Sequence, residues 1–413
     1  MSSDLNLLYT DVEDSLRSTV RDLLSSRCPS DAVIAMYDGD RSVVGPLWRA
    51  LSVDLGLAGL LVPESLGGAG ASAREAAVVL EELGRSAAPV PFLTSAVVAT
   101  AVLSGWASAT SIHVDGNGGR SGNTTAAAVQ VDGNGDPATA AADLLSTLAA
   151  GERTAALAVP FSASSWSFVP HVVVDGDGAL TGRVTSVAGA LEADVLLVPV
   201  AVPDDAAAAA GSGVAPGGVE IRAVEVAAAD VAPVTSLDMS RQLADVSFDG
   251  AASQVVVRAG SGEAAVRRAL GLGAALMASE QLGVAQWCLD TTIAYLKERR
   301  QFGRVVGGFQ ALKHRLADLY TLVEQARAAA RYAAATAAEG DPDAQVAASV
   351  AQAFCSDVAL KAAEECVQLH GGIGMTWEHP AHLYLKRAKA DQIALGTPGA
   401  HRARLGELVD LSA

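Results

Sequence analysis

Arg299 and Gln301 stand just before Phe302 and Gly303, where a helical pattern ends and the chain must turn. A guanidinium and an amide at a turn can approach a phosphate, so the pair is a candidate diphosphate clamp. Gln310, His314 and Asp318 follow at four-residue steps, which puts them on one face of the next helix, a polar stripe that faces either solvent or a cofactor. Gln368 then precedes Gly371 and Gly372 in HGGIGM. Glycine lets backbone come close to a ligand, and it also simply breaks helices. The four cysteines, Cys28, Cys288, Cys355 and Cys366, show no CxxC or histidine-flanked spacing. No metal site is expected, and the thiols read as buried and reduced.

The elements that must carry these residues follow from periodicity. From Thr10 to about Trp106 apolar residues recur at three and four spacings, as in DVEDSLRSTVRDLLSSR and AREAAVVLEELGRSAA, so an N-terminal helical domain is expected. Pro63 and the glycines at 67, 68 and 70 interrupt it with a turn. From about Ala107 to Gly250 short alternating or apolar runs (AAAVQV, HVVV, DVLLVPVAV, IRAVEV) between DGNG, DGDG and PGG turns predict a small β domain. Within it AVPDDAAAAAGSGVAPGG is of low complexity and reads as an exposed loop. Helical spacing returns at Arg258 and persists to the end, with a glycine break at HGGIGM.

A chain of 413 residues exceeds one hydrophobic core, and only 4% of it is aromatic, so Ala, Val and Leu must pack closely spaced helices. A net charge of -17 argues against a nucleic-acid partner, and any anionic ligand would need a local basic patch. Arg315, Lys386, Arg387 and Lys389 are candidates for it, with a solvated helix face as the alternative. The acidic, amphipathic start lacks the cationic end and apolar run of a secretion signal, and no apolar stretch of roughly 18 residues is seen. A cytoplasmic protein with no membrane insertion is expected.

Several separated motifs resemble the acyl-CoA dehydrogenase family over essentially the whole length. Trp48 with GLAGLLVPESLGGAG and EELGRS is similar to the helix, loop and helix beside the family's acyl pocket, and LDMSRQLADVSFDG (237–250) resembles its closing strand. YLKERRQFGRVVGGFQALKHRLADLY (295–320) and CVQLHGGIGMTWEHPAHLYLKRAKADQI (366–393) resemble the two segments that most strongly mark the family. The resemblance implies an α+β fold: an N-terminal α-helical domain (1–125), a middle β-sandwich or barrel domain (126–250) and a C-terminal four-helix bundle (251–413). It also implies FAD as cofactor, an acyl-CoA substrate and an electron-transfer flavoprotein as electron carrier. By the same resemblance, Arg299, Gln301, Phe302 and Gln310 match residues that contact the diphosphate and adenosine end of an FAD bound mainly by a neighbouring subunit. Gln368, Gly371 and Gly372 match residues holding the same end, and Thr397 belongs to the flavin site.

Desaturating an acyl-CoA needs a carboxylate to take the α-proton while a hydride passes to the flavin. The resemblance puts that glutamate in a Glu-Gly-Thr turn, where this chain reads Ala394, Leu395, Gly396 and Thr397. Leucine cannot accept a proton. The alternative position, on the long helix before RQFG, falls at Gly273, and the nearest carboxylate on that helix, Glu280, lies two turns away, roughly 10 Å along the axis. Glu280 and Glu378 therefore read first as structural, with a relocated base as the alternative. LAVPFSASSWSFVP (157–170) keeps Pro160 and its serines but lacks the acidic residues and the glycine of the family's ring-side run. The expectation is a subunit that holds part of an FAD and takes its catalytic glutamate from a second acyl-CoA dehydrogenase chain in a heterotetramer, with a steroid-derived or fatty acyl-CoA as substrate. The alternatives are a homo-oligomer with a relocated base and an inactive acyl-CoA-binding homologue.

Overall fold

The computed structural model describes residues 5–104, 136–202 and 218–411. The run AAAVQV, the 125/126 domain boundary and nearly all of AVPDDAAAAAGSGVAPGG lie outside them. The N-terminal helices are α1 (Asp11–Arg27), α2 (Ser30–Ala35), α3 (Val44–Arg49) and α4 (Ala73–Arg85). Two of them start on capping boxes, Thr10 with Glu13 and Ser72 with Glu75, in which side chain and backbone satisfy each other's orphan groups. The apolar segment Phe92–Ala99, π-helical and buried, follows α4 and lies against the first strand of the sheet.

Residues 137–149 differ from the expected β texture. They form helix α5 (Pro137–Ala149), because Pro137 starts the first turn and Ala141, Leu144, Leu145 and Leu148 share one face. That face joins the helical core, and the strands begin only at Ala155. They are β1 (Ala155–Leu157), β2 (Val172–Val174), β3 (Leu180–Ala188), β4 (Val195–Ala201), β5 (Val219–Glu225), β6 (Asp230–Val234), β7 (Leu243–Ala251) and β8 (Gln254–Val257). The sheet runs β6-β7-β3-β2-β4-β5-β8, with β1 parallel to β4, and it passes residue 250 because β8 pairs antiparallel with β5. A second apolar cluster, including Val184, Leu196, Val246 and Phe248, packs within it.

The remaining helices are α6 (Gly262–Glu298), α7 (Gln310–Glu339), α8 (Ala344–His370), α9 (Ala381–Ile393) and α10 (Pro398–Leu408). A two-stranded hairpin, β9 (Arg300–Gln301) and β10 (Arg304–Val305), joins α6 to α7. Small residues let α4 and α6 touch backbone to backbone. A Cβ on Gly84 would stand 2.0 Å from the Glu280 carbonyl oxygen, and one on Gly283 would stand 1.9 Å from that of Glu81. That crossing buries Glu280. Among the described residues one helix, Ala344–Met375, is long and apolar enough to cross a membrane, and 61% of its apolar window is buried inside the molecule. The first turns of α7 are bare: between Gln310 and Leu322 only Leu319 is buried.

Candidate functional site

The residues singled out first gather at one end of the bundle. The α6 helix ends where the Arg299 N–H donates to the Tyr295 carbonyl at 2.9 Å, and the hairpin turns at Phe302 (φ 53°) and Gly303 (φ 74°). Two successive left-handed residues make a tight hairpin turn, which suits glycine but costs phenylalanine about 1 kcal/mol. The Phe302 ring is 86% exposed, so no burial within this chain offsets that cost. Tyr295 stacks on His370 at 4.5 Å, which sets the end of α8, with Gln368 and the Gly371–Gly372 turn, beside the end of α6. Gly371 is left-handed (φ 63°), and neither glycine has an atom within 4 Å of where a Cβ would stand. Arg299, Gln301, Gln310 and Gln368 are exposed, and among the described residues none of these side chains has a partner. His314 and Asp318 are exposed on the same face of α7.

The two positions where the family resemblance places a base meet elsewhere. A Cβ on Gly273 would stand 3.0 Å from Val98 and 3.2 Å from Leu395 Cδ1, so Leu395 fills the space before position 273. Two backbone contacts hold the leucine there. Its N–H donates to the Phe161 carbonyl at 2.8 Å, and the buried His401 ring bonds its carbonyl through Nε2 at 3.1 Å. Leu395 takes a left-handed backbone (φ 54°), and burial lowers the His401 pKa to about 4, so the ring is neutral near pH 7. Leu93, Val98, Leu157, Val159, Phe161 and Leu270 complete an apolar pocket, and among the described residues no carboxylate lines it. Pro160 also lines it, while the Ser164 and Ser167 hydroxyls bond each other at 2.6 Å.

Glu280 belongs to a buried charge cluster. It accepts from Arg241 at 2.5 and 2.6 Å and from Arg387 at 2.6 Å, while Arg387 also donates to Asp238 at 2.6 Å and Arg241 to Asp391 at 2.6 Å. Burial alone would raise the Glu280 carboxyl, but the two guanidiniums hold it below its ordinary value. A carboxylate clamped this way anchors the Asp238–Arg241 segment to α6 and α9. Glu378 is exposed in the turn before α9. The basic CoA candidates do not form a patch. Arg387 is 1% exposed in this cluster, Arg315 pairs with Glu365 at 2.6 Å, and Lys386 lies against the Tyr37 and Trp377 rings at 4.0 and 3.9 Å. Lys389 donates to Gln392 at 2.7 Å. Thr397 caps α10, its hydroxyl accepting from the Ala400 N–H at 3.3 Å. Asp238, Arg241, Asp391 and His401 were not singled out from sequence, although a charge inside an Ala-rich apolar helix pattern, as at Asp391, is the signal that would find one.

The two sites are far apart within the chain. Gly273 and Arg299 are 26 positions apart along α6, about 39 Å at 1.5 Å per residue. Unpartnered guanidinium and amide donors around an open glycine turn fit the diphosphate of an FAD. The pocket at Leu395 has a different lining: Thr94 is its one hydroxyl side chain among the described residues, and the rest are apolar.

The chain matches the acyl-CoA dehydrogenase N-terminal domain over residues 10–110 and the acyl-CoA dehydrogenase C-terminal domain over residues 260–409. It is 32% identical over 390 residues to the acyl-CoA dehydrogenase IpdE2 of Mycolicibacterium smegmatis, covering 94% of this chain and 96% of that one. Among solved structures, a variant of the Tcur3481-Tcur3483 steroid ACAD aligns with a TM-score of 0.75 at 27% identity, covering 97% of this chain and 98% of that one. The ChsE4-ChsE5 complex from Mycobacterium tuberculosis aligns with a TM-score of 0.78 at 24% identity, covering 99% and 100%.

Proposed function

This chain belongs to the acyl-CoA dehydrogenase family, and from that premise we propose that it is the non-catalytic subunit of a heteromeric enzyme that desaturates an acyl-CoA thioester. The observation that carries the proposal is the meeting of Gly273 with Leu395: both positions that could hold a base are apolar and close on each other. Bound FAD supplies the hydride acceptor. This chain's part is to bind. Arg299, Gln301, Gln310 and Gln368 donate to the diphosphate and adenosine end, Gly371 and Gly372 let backbone approach it, and Phe302 packs on the partner that holds the ring. An FAD held at the bundle end serves a pocket other than this chain's own, given the length of α6 between the two sites. Thr397 keeps the turn after Leu395 in place by capping α10. The α-proton is taken by the partner's carboxylate, because among the described residues no carboxylate lines the pocket here.

A two-chain assembly, in the form of a heterotetramer, and a steroid-derived acyl group are both supported by similarity to the Tcur3481-Tcur3483 steroid ACAD, whose name pairs two components. An electron-transfer flavoprotein is the proposed acceptor. The test is to purify the chain alone and co-expressed with a neighbouring acyl-CoA dehydrogenase gene, then measure flavin content and acyl-CoA oxidation for each. Activity and stoichiometric flavin are expected only for the pair, and full activity of the isolated chain would overturn the proposal.

A further inference from the structure

The hairpin that joins α6 to α7 carries more positive charge than the binding role uses. Lys297, Arg299, Arg300, Arg304 and Lys313 lie close together in the sequence with Glu298 as the one acidic residue between the first and the last of them, in a chain whose net charge is -17. All five are exposed, and among the described residues no carboxylate pairs with any of them. Most arginines elsewhere in the described residues do pair, and so does Arg315, the next cation along α7, which holds Glu365 at 2.6 Å. A surplus of acid over the whole chain leaves this one stretch unbalanced.

The hairpin fixes where these charges stand. Gln301 pairs with Arg304 and Arg300 with Val305, and the Val306 N–H donates to the Arg299 carbonyl at 2.8 Å. Paired residues of an antiparallel ladder share a face and successive residues alternate, so Arg299, Gln301 and Arg304 lie on one face and Arg300 on the other. The Arg304 guanidinium rests over the Phe309 ring at 3.8 Å, on the face that offers Arg299 and Gln301 to a diphosphate. A nucleotide held on that face leaves Arg300 without a counter-charge. Lys297 in the last turn of α6 and Lys313 in the first turn of α7 flank the hairpin on its two sides. At its tip stands Phe302, 86% exposed, an aromatic ring of the kind that anchors protein interfaces. A long nucleic acid would meet the repulsion of the whole chain, whereas a protein surface meets only the local patch.

We propose that Lys297, Arg300 and Lys313 dock on a carboxylate-rich surface of the partner subunit, so that charge holds the pair together around the Phe302 ring. The inference rests on the two-chain reading above and names the chemistry of the surface that the partner presents.

The test is the dissociation constant of the co-expressed pair, measured by sedimentation in low and high sodium chloride, for the wild type and for the triple variant Lys297→Glu, Arg300→Glu, Lys313→Glu. The wild-type pair is expected to weaken about ten-fold from low to high salt, and the triple variant to bind about 30-fold more weakly at low salt. A control with Arg27→Glu, Arg49→Glu and Lys389→Glu, exposed cations of α1, α3 and α9, carries the same net charge and is expected to assemble normally. No pair at low salt, an affinity indifferent to salt, or an equal loss in the control overturns the proposal. So does a single-stranded oligonucleotide that binds the wild type and not the triple variant while both assemble alike, since the patch then belongs to a nucleic acid. Arg299→Ala separates docking from the flavin reading, because it is expected to lose flavin and keep the partner. If the triple variant keeps the partner while Arg299→Ala loses flavin, docking fails and the flavin reading stands; if the triple variant loses the partner while Arg299→Ala keeps its flavin, the reverse holds. The salt dependence of the wild-type pair decides the matter if the triple variant does not fold.

Discussion

The end of the bundle and the pocket at Leu395 are the two places where this chain could handle an acyl-CoA and its flavin, and they have opposite character. At the bundle end, four long polar side chains stand exposed around an open glycine turn, and a strained Phe302 holds its ring in solvent. At the pocket, Leu395 and Val98 close on the space before Gly273, and two backbone contacts fix the leucine. Exposed donors on a surface cost little when a partner arrives, whereas an apolar closure must be broken before anything enters. The contrast assigns giving to one end and leaves nothing to receive at the other. That contrast is what the proposed role, completing a neighbour's site, requires.

The largest effect is expected at the charge cluster behind the pocket. Glu280→Gln removes the carboxylate that bridges Arg241 and Arg387; Asp391 can ionise to restore the charge balance, but losing the bridging charge-assisted bonds costs about 3 kcal/mol, read as a lower denaturant midpoint. If Glu280 were instead a relocated base, the variant would lose turnover with its stability intact, and catalysis would belong to this chain. Next in size is Leu395→Glu. A carboxylate in an apolar pocket costs about 3 kcal/mol, and no oxidation activity is expected to appear in the chain alone. Activity there would show the pocket to be open. At the other end, Arg299→Ala removes a charge-assisted bond to phosphate and should lower FAD retention by the pair about ten-fold or more, measured as flavin absorbance per protein, while leaving the melting temperature unchanged.

The order of helices, strands and helices was legible because periodicity repeats along each element, and the exposed polar residues at the bundle end stood out because they fall in two marked segments. Residues 137–149 were misread as strand texture. Asp136 and Pro137 resemble the turns on either side, and the helix shows itself only through the spacing of Ala141, Leu144, Leu145 and Leu148. The closeness of Gly273 to Leu395 could not be read, since 122 positions separate them and only packing joins them. The fate of the basic residues was equally hidden. Arg387 looks like a surface charge in LKRAK, yet it sits at the centre of the buried cluster, because the helix face that carries it also carries Tyr384 and Asp391 toward the core.

The smallest effect concerns Asp391, which sharpens the account of the closed region. The cluster sets three carboxyls, Asp238, Glu280 and Asp391, against two guanidiniums, so one carboxyl has no full counter-charge. Among the described residues Asp391 Oδ2 is buried without a partner, as are the Oε1 atoms of Gln281 and Gln352, whose Nε2 groups both donate to the Asp391 carbonyl at 3.3 Å. Burial first, then the Glu280 charge, push the Asp391 pKa from 3.8 up to about 7, against the pull of Arg241 and Arg387. Because the folded value is the higher one, the folded state binds this proton more tightly: the contribution to stability is full below the unfolded value of 3.8 and is lost as pH rises to about 7. Asp391→Asn should remove that slope and, at pH 8, gain on the order of 1 kcal/mol over the wild type in urea unfolding. An asparagine that destabilises equally at pH 5 and pH 8 would mean that Asp391 is ionised in the folded chain, and the charge behind the pocket would then have to be balanced by a group outside these five.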